Sequence, residues 1–265
     1  MSLSSLNNQA SDSNVMWNLW HGCTKVSPGC YNCYVYAIDA KVNRDASIVY
    51  KTTQFEKPLE KYKTGEYKYP SGTTFYTCFT SDFFHEAADD WRSDAWRIIR
   101  TRSDCYFYII TKRPERIAAC LPSDWGNGYP NVELCCTCEN QSMTDKRLPI
   151  FLELPIVHKS IIHEPILGPI NLEPFLEEYR DVIECVTVGG ESGDFARLCN
   201  YGWVLSIHMQ CVKYEVDFVF HQTGSKFKKK DRIYFIPKDK QHIQAKKARL
   251  DFRNGRIVDY SELFK

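Results

Sequence analysis

Three cysteines near the amino terminus are the residues of this sequence best suited to chemistry. Cys23, Cys30 and Cys33 lie in the run WHGCTKVSPGCYNCY, with the spacing C-x6-C-x2-C. Pro28 and Gly29 lie between them and favour turns, so that three sulfur atoms can converge on one point. Three thiolates are the ligands that a 4Fe–4S cluster with one unligated iron requires. The pattern therefore predicts a cluster whose last iron is open to an exchangeable ligand.

Two other interpretations of these cysteines remain open. A structural zinc ion prefers four ligands, and His21 would complete a set of four with the three thiols. The thiols would alternatively be structural side chains without a metal. We expect the nine other cysteines to be buried, including Cys135, Cys136 and Cys138, because neighbouring residues of a strand point to opposite faces.

Six β-rich runs, separated by helical stretches, are expected to position these residues. The runs are 73–80, 105–111, 132–138, 157–163, 183–188 and 217–221, and the helical stretches are 33–42, 90–100, 114–119, 144–154, 172–179 and 203–214. Strands that alternate with helices of this length indicate βαβ units and a parallel sheet. We expect an α/β fold, a partial (β/α) barrel of about six parallel strands with the helices outside.

Polar or charged residues follow each run at once, and in an α/β barrel such strand ends form one rim. Candidates for binding a cofactor or substrate at that rim are Asp82, Lys112, Glu139, Glu164, Gly189, Gly190 and Glu191. A Gly-Gly-Glu segment lets the backbone approach a ligand closely, while its carboxylate accepts hydrogen bonds from an ammonium group. The competing interpretation is that βα loops are polar in any protein, and Asp82 is also a candidate helix N-cap.

The carboxyl-terminal part of the chain is strongly basic. The segment 226–249 contains ten Lys or Arg against two Asp, a net charge of +8, whereas the whole chain carries +1. It is a candidate for contacting phosphates of nucleic acid, or is a solvated surface packed beside the barrel. The predicted organisation is a flexible N-terminus at 1–13, the barrel at 14–225 with a cluster loop at 21–34, and a basic segment at 226–265.

The composition excludes two classes of protein. The first residues are polar and lack the apolar core of a secretory signal, and no apolar run reaches the roughly 20 residues of a transmembrane helix. Hydrophobic residues make up 43% of the chain and charged residues 25%, as in ordinary globular proteins. We therefore expect a cytoplasmic protein without a membrane partner, in which the thiols are reduced or bind metal.

An ordered set of motifs resembles a phage-associated family of unknown function, within or beside the radical S-adenosylmethionine superfamily. The motifs are WNLWHGCTKVSPGCYNCY, SDFFHE, ITKRPERI, CENQ, HEPILGPI, VGGESG and IPKDKQHIQAKKA, which together span nearly the whole chain. The resemblance implies a 4Fe–4S cluster on Cys23, Cys30 and Cys33, with S-adenosylmethionine as cosubstrate. It also implies an electron donor such as flavodoxin or ferredoxin.

The resemblance implies a reaction class as well. One electron from the reduced cluster would cleave S-adenosylmethionine, and the resulting 5′-deoxyadenosyl radical would abstract hydrogen from an unknown substrate, with nucleic acid as one candidate. Gly189, Gly190 and Glu191 resemble the superfamily's Gly-Gly-Glu element, which holds the amino group of the cosubstrate. Here, however, the element follows a much later strand, and the first cysteine gap is six residues where three is commonest. The alternative function is a non-catalytic, metal-stabilised nucleic-acid-binding protein.

Overall fold

A computed structural model describes residues 14–264 of the chain, so the predicted N-terminal segment 1–13 lies outside the described residues. The fold is mixed α/β, with a mostly parallel sheet of nine strands. The described strands are β1 Asn14–Trp17, β2 Trp20–His21, β3 Tyr50–Lys51, β4 Thr74–Thr77, β5 Tyr106–Thr111, β6 Val132–Thr137, β7 His158–His163, β8 Ile183–Gly189, β9 Leu198–Asn200, β10 Asp217–Gln222, β11 Lys226–Lys229, β12 Arg232–Phe235, β13 Phe252–Arg253 and β14 Arg256–Ile257.

Seven α-helices lie between or after these strands in the described part of the chain. They are α1 Tyr34–Ala40, α2 Asp89–Thr101, α3 Pro114–Cys120, α4 Gln141–Glu153, α5 Glu173–Tyr179, α6 Tyr201–Lys213 and α7 Gln241–Lys247. Helix α2 shows why such segments are helical. Asp89 and Asp90 lie in its first turn and Arg100 in its last, which matches the helix dipole, while Trp96 and Ile99 are buried on one face.

The described chain divides into two compact units. Unit 1 comprises 14–25, Val35–Cys136 and Glu153–Lys159; unit 2 comprises Val26–Tyr34, Thr137–Leu152 and 160–264. The basic segment thus belongs to unit 2 together with strands β8 and β10.

Unit 1 is built on four parallel strands in the order β1, β4, β5, β6. Aromatic side chains fill its core: Trp17, Phe75 and Phe107 are fully buried, and the rings of Phe75 and Phe107 stack at 5.3 Å. All six residues of β6 are buried, as expected for a parallel strand covered on both faces. This order fixes the carboxyl ends of β4 and β5 side by side.

Unit 2 contains the strand order β7, β8, β10, β13, β14, in which β10 pairs parallel with β8 and antiparallel with β13. A separate three-stranded sheet has the order β12, β11, β9, with β11 and β12 forming an antiparallel hairpin. Strand β13, in the sequence region predicted to pack beside a barrel, thus pairs within the large sheet.

The six predicted strands and six predicted helices are all present, with bounds shifted by one to three residues at most ends. The sheet itself differs from the expectation. Strands β1 and β14 are its two edges, and in residues 14–264 no strand pairing closes it. An α/β architecture is therefore confirmed, whereas a barrel is not shown.

Within residues 14–264, no helix has the length and apolar character needed to cross a membrane.

Candidate functional site

The exposure of the twelve cysteines separates the predicted ligands from most of the others. None forms a disulfide; Cys23, Cys30 and Cys33 are half-buried, and eight others are buried. Burial raises the pKa of Cys199 to about 12, so that its thiol stays protonated. The expectation of burial is wrong for Cys120, the last residue of α3, which is half-buried.

A short turn in unit 2 carries two of the three predicted ligands, and we call residues Ser27–Cys33 the cysteine turn. The Cys30 amide donates to the Ser27 carbonyl at 2.9 Å, and the Cys33 amide donates to the Cys30 carbonyl at 3.3 Å. Pro28 opens a 3-10 turn here because its fixed φ suits the first position of a helix. Helix α1 begins directly after Cys33, so both thiols lie within one turn of backbone.

Glu139, two residues after the end of β6, accepts a hydrogen bond from the backbone of the cysteine turn. The Gly29 amide donates to Glu139 Oε1 at 2.8 Å, and Arg147 Nη1 donates to Oε2 at 2.8 Å. Burial alone would raise the pKa of Glu139, but hydrogen bonds from Ser27 and Gly29 and the charge of Arg147 lower it. A Cβ on Gly29 would lie 2.9 Å from Glu139 Cδ, so only glycine allows this approach.

Glu191 holds the same turn at its other end, through an arginine and an asparagine. Arg197 donates from Nε to Glu191 Oε2 at 2.9 Å, and Asn32 Nδ2 donates to the same oxygen at 3.0 Å. Arg197 Nη1 also donates to the Pro28 carbonyl at 2.9 Å. The hydrogen bond to Glu191 raises the pKa of Arg197, burial opposes it, and the nearby Cys30 adds to the increase.

The glycines before Glu191 are explained by close packing inside unit 2. A Cβ on Gly189 would lie 2.4 Å from Glu164 Cδ, and one on Gly190 would lie 2.2 Å from the Thr223 carbonyl oxygen. Glu164 is itself engaged, since His221 Nδ1 lies 2.7 Å from its Oε2. These two glycines therefore pack against the protein's own groups, and their approach to a ligand stays a prediction.

In unit 1, Cys23 lies beside a buried arginine, and we call residues Gly22–Thr24 the Cys23 loop. Arg113 Nη1 lies 3.6 Å from Cys23 Sγ, and Nη2 donates to the Thr24 carbonyl at 3.0 Å. His85 Nε2 lies 3.0 Å from Thr24 Oγ1, and Tyr36 donates from its hydroxyl to the Cys23 carbonyl. The loop is therefore fixed through both its backbone and its side chains.

Asp82, after β4, balances the charge of Arg113. Its Oδ2 lies 3.2 Å from Arg113 Nη1, and both side chains are nearly fully buried. It also accepts hydrogen bonds from Thr111 Oγ1 at 2.8 Å and from the Lys112 amide at 2.9 Å. Lys112 thus contributes its backbone to this cluster. Burial lowers the pKa of Arg113, but the negative charges of Asp82 and Cys23 outweigh it and raise the pKa.

The predicted site residues omit Arg197 and Arg113, and Arg113 shows how such a residue could have been included. It follows β5 and precedes Pro114, directly after Lys112, which was the residue chosen as a candidate. Its position along the chain is the available signal, because burial alternates along strand β5, in which Phe107, Ile109 and Thr111 are buried. Continuing this period by two places puts residue 113 on the buried side.

The structure brings together Cys30 and Cys33 in unit 2 and places Cys23 in unit 1. Among residues 14–264, no group of three or more His, Cys, Asp or Glu side chains is arranged to hold a metal ion. His21, the extra ligand of the zinc interpretation, lies with its Nε2 2.7 Å from Asp39 Oδ2. The cluster ligands therefore stay a prediction. The chemistry of the site fits it in two respects, half-buried thiols and neighbouring cations.

These features define an α/β protein in which carboxylate–arginine pairs hold cysteine-bearing segments. The chain belongs to the DUF5131 family, described as a protein of unknown function, whose model matches residues 8–260. No curated protein matches the chain, and no solved structure matches it.

Proposed function

We propose that this protein is a radical S-adenosylmethionine-like enzyme, in which Cys23, Cys30 and Cys33 hold a 4Fe–4S cluster beside a partial barrel. The observation that carries the proposal is the cysteine turn. Its two thiols stay half-buried, while Glu139 accepts a hydrogen bond from the Gly29 amide and Glu191 accepts one from the Asn32 side chain. A structural cysteine pair needs no such arrangement, whereas a metal ligand pair needs oriented and accessible thiols.

The arginines support the proposal through charge. Thiolates, not thiols, bind metals, and a neighbouring cation stabilises the thiolate. Arg113 lies 3.6 Å from Cys23 Sγ, and the charge of Cys30 raises the pKa of Arg197. Each cationic group is fixed by a carboxylate, so its position is set before any ligand arrives.

The contacts give the acidic candidates a positioning role. Both oxygens of Glu139 accept hydrogen bonds, and those of Glu191 accept from Arg197 and Asn32. Asp82 is likewise engaged with Arg113, so these carboxylates orient the segments that carry the cysteines. When bound, a reduced 4Fe–4S cluster supplies the electron for reductive cleavage of S-adenosylmethionine.

Anaerobic reconstitution with iron and sulfide tests the proposal. Wild-type protein should bind about four iron atoms per chain, Cys30→Ala should lose most of them, and Cys136→Ala should bind as wild type because Cys136 is a buried strand thiol. Equal iron in wild type and Cys30→Ala would contradict the ligand assignment.

Formation of 5′-deoxyadenosine then tests the reaction. Reconstituted protein with dithionite and S-adenosylmethionine should release the nucleoside, and Cys30→Ala should release none above background. Absence of both iron binding and nucleoside in a folded sample would favour the alternative, a metal-stabilised nucleic-acid-binding protein. Iron binding without nucleoside would indicate a family member that binds the cluster and the cosubstrate but does not cleave the latter. An electron donor such as flavodoxin or ferredoxin stays a prediction.

A further inference from the structure

A cavity of about 670 Å³ lies in unit 2, between the β11–β12 hairpin, helix α7 and the first residue of α6. Its volume falls within the roughly 300–1,000 Å³ typical of ligand pockets. The cysteine turn and the carboxylates that hold it are not among its lining residues. The proposed function therefore does not use this cavity.

Four aromatic residues line the cavity: Tyr201, Phe227, Tyr234 and Phe235. Tyr234 and Phe235 lie on β12 and are 44% and 75% exposed, whereas Phe227 opposite Tyr234 on β11 is buried. Tyr201, at the start of α6, packs edge-on against Phe227, with ring centroids 6.1 Å apart. Large exposed rings beside a cavity are suited to a flat, unsaturated ligand.

Lysines supply all the formal charge of the lining. Lys229, Lys240 and Lys247 are exposed and line the cavity, and no Asp or Glu is among the lining residues. Lys229 Nζ lies 4.5 Å from the centroid of the Tyr201 ring, so one cation already lies against an aromatic face. Lys240 pairs with Asp239 at 3.2 Å, but both are well exposed, and such pairs are weak in water.

We propose that this cavity binds a nucleotide unit, with the base stacked on Tyr234 or Phe235 and the phosphate held by the three lysines. Stacking platforms beside a positive groove are the general means of binding single-stranded nucleic acid without sequence preference. A free nucleotide carries the same base and phosphate chemistry. This binding site does not depend on the cluster, and its failure would leave the proposed function standing.

Fluorescence anisotropy with a fluorescein-labelled dT12 oligonucleotide, and its rU12 counterpart, tests the site on the full chain without added iron. We expect micromolar to submicromolar dissociation constants at 50 mM salt. The logarithm of the constant should rise with that of the salt concentration, with a slope of about 2 for three phosphate contacts. Displacement by AMP or ATP at similar concentrations would assign the site to free nucleotides, whereas displacement only by unlabelled strands would assign it to single strands.

Variants locate the binding. Tyr234→Ala and Phe235→Ala should weaken it roughly 5- to 100-fold if the base stacks on the altered ring. Lys229→Gln, Lys240→Gln and Lys247→Gln should each lower the salt slope by about 0.7. Matched controls in unit 1 are Tyr62→Ala and Lys63→Gln, both at exposed positions, which should bind within twofold of wild type. Thermal melting checks that each variant remains folded.

Three results would overturn the proposal. One is no binding of either oligonucleotide below 1 mM. Another is equal weakening by the unit 1 controls, which would show unspecific attraction to a charged surface. The last is self-association abolished by Phe235→Ala in a protein that binds no nucleotide, since β12 is an edge strand and would then pair with a second copy.

Discussion

The Cys23 loop of unit 1 and the cysteine turn of unit 2 are held by the same kind of residue pair, used in different ways. Asp82 and Arg113 are both nearly fully buried, and the arginine reaches the sulfur of its cysteine. Glu191 is buried as well, but Arg197 is 33% exposed and contacts the backbone of its turn. Arg113 of the first pair places a positive charge beside the Cys23 thiol, whereas Arg197 of the second pair binds the backbone of the cysteine turn.

This difference shows what the predicted acidic residues do. A carboxylate at a strand end was expected to face a ligand, yet Asp82 and Glu191 each orient an arginine. In a buried setting such a pair is costly to break, because one charge is left without a partner. In a partly exposed setting, water compensates for most of the loss. The two regions should therefore respond unequally to equivalent substitutions.

Removing each carboxylate is the strongest test of the comparison. Asp82→Ala leaves Arg113 charged and buried, so we expect a loss of about 3–5 kcal/mol in the free energy of unfolding. Glu191→Ala leaves Arg197 with access to water, and we expect a loss of about 2 kcal/mol. Urea denaturation monitored by circular dichroism measures both. Equal losses would remove the distinction between the two pairs.

The pH dependence of stability separates the two regions next. His163 is the last residue of β7, and its Nδ1 forms a hydrogen bond with the Cys138 carbonyl oxygen. Burial lowers the pKa of His163 to about 4. The unfolded chain, with a pKa near 6.5 at this residue, binds the proton first, so stability falls as pH falls from about 6.5 towards 4. We expect His163→Asn to abolish up to about 3 kcal/mol of that fall.

His85, beside the Cys23 loop, is the matched residue of unit 1. Burial and the charge of Arg113 lower its pKa as well, but the negative charges of Glu86 and Asp82 oppose that shift. His85→Asn should therefore remove a smaller part of the pH dependence than His163→Asn. Urea titrations at pH 7 and pH 5 measure both, and a larger effect at His85 would reverse the comparison.

A smaller effect on stability is expected from a substitution at Gly29, which packs against Glu139 within unit 2. Gly29→Ala places a Cβ 2.9 Å from Glu139 Cδ, which is buried and cannot move freely. We expect a loss of about 1–3 kcal/mol, as for other overpacked sites, and reduced iron incorporation. Gly168→Ala is the control, because a Cβ there meets no atom within 4 Å; that variant should bind iron as wild type.

The smallest expected effect concerns Asn32, which joins the cysteine turn to Glu191. Asn32→Ala removes hydrogen bonds to Glu191 Oε2 and to the Phe195 carbonyl, both partly accessible to water. We expect about 1 kcal/mol of lost stability. The same iron assay should show slower loading than wild type, and identical loading kinetics would mean that the turn does not need this contact.

The secondary structure was predictable because its signals are local. The runs at Tyr106–Thr111 and Val132–Thr137 are β-rich and bounded by polar residues, and both are strands. The prediction missed strand β1, which has four residues and depends on pairing with Thr74–Thr77 for its existence. The order of the strands, with β1 and β14 as edges, could not be predicted either, because it depends on pairings between distant residues.

The site was predictable in its residue types but not in its contacts. Glu139 and Asp82 were found because they follow strands, yet their partners Gly29 and Arg113 lie far away or in the next loop. No spacing rule connects residues separated by 110 positions. The sequence therefore identifies which groups are at the strand ends, while folding decides whether they face a ligand or each other.

The contacts of the cysteine turn also set an order of events during synthesis. The turn is translated well before its anchors, because Glu139 and Glu191 follow 110 and 159 residues after the groups that they bind. Because contacts of such long sequence separation form late, the two thiols stay unoriented until most of the chain has been translated. Loading of a metal centre at this position would thus be a step of maturation, after folding and under the control of whatever delivers iron to a finished chain.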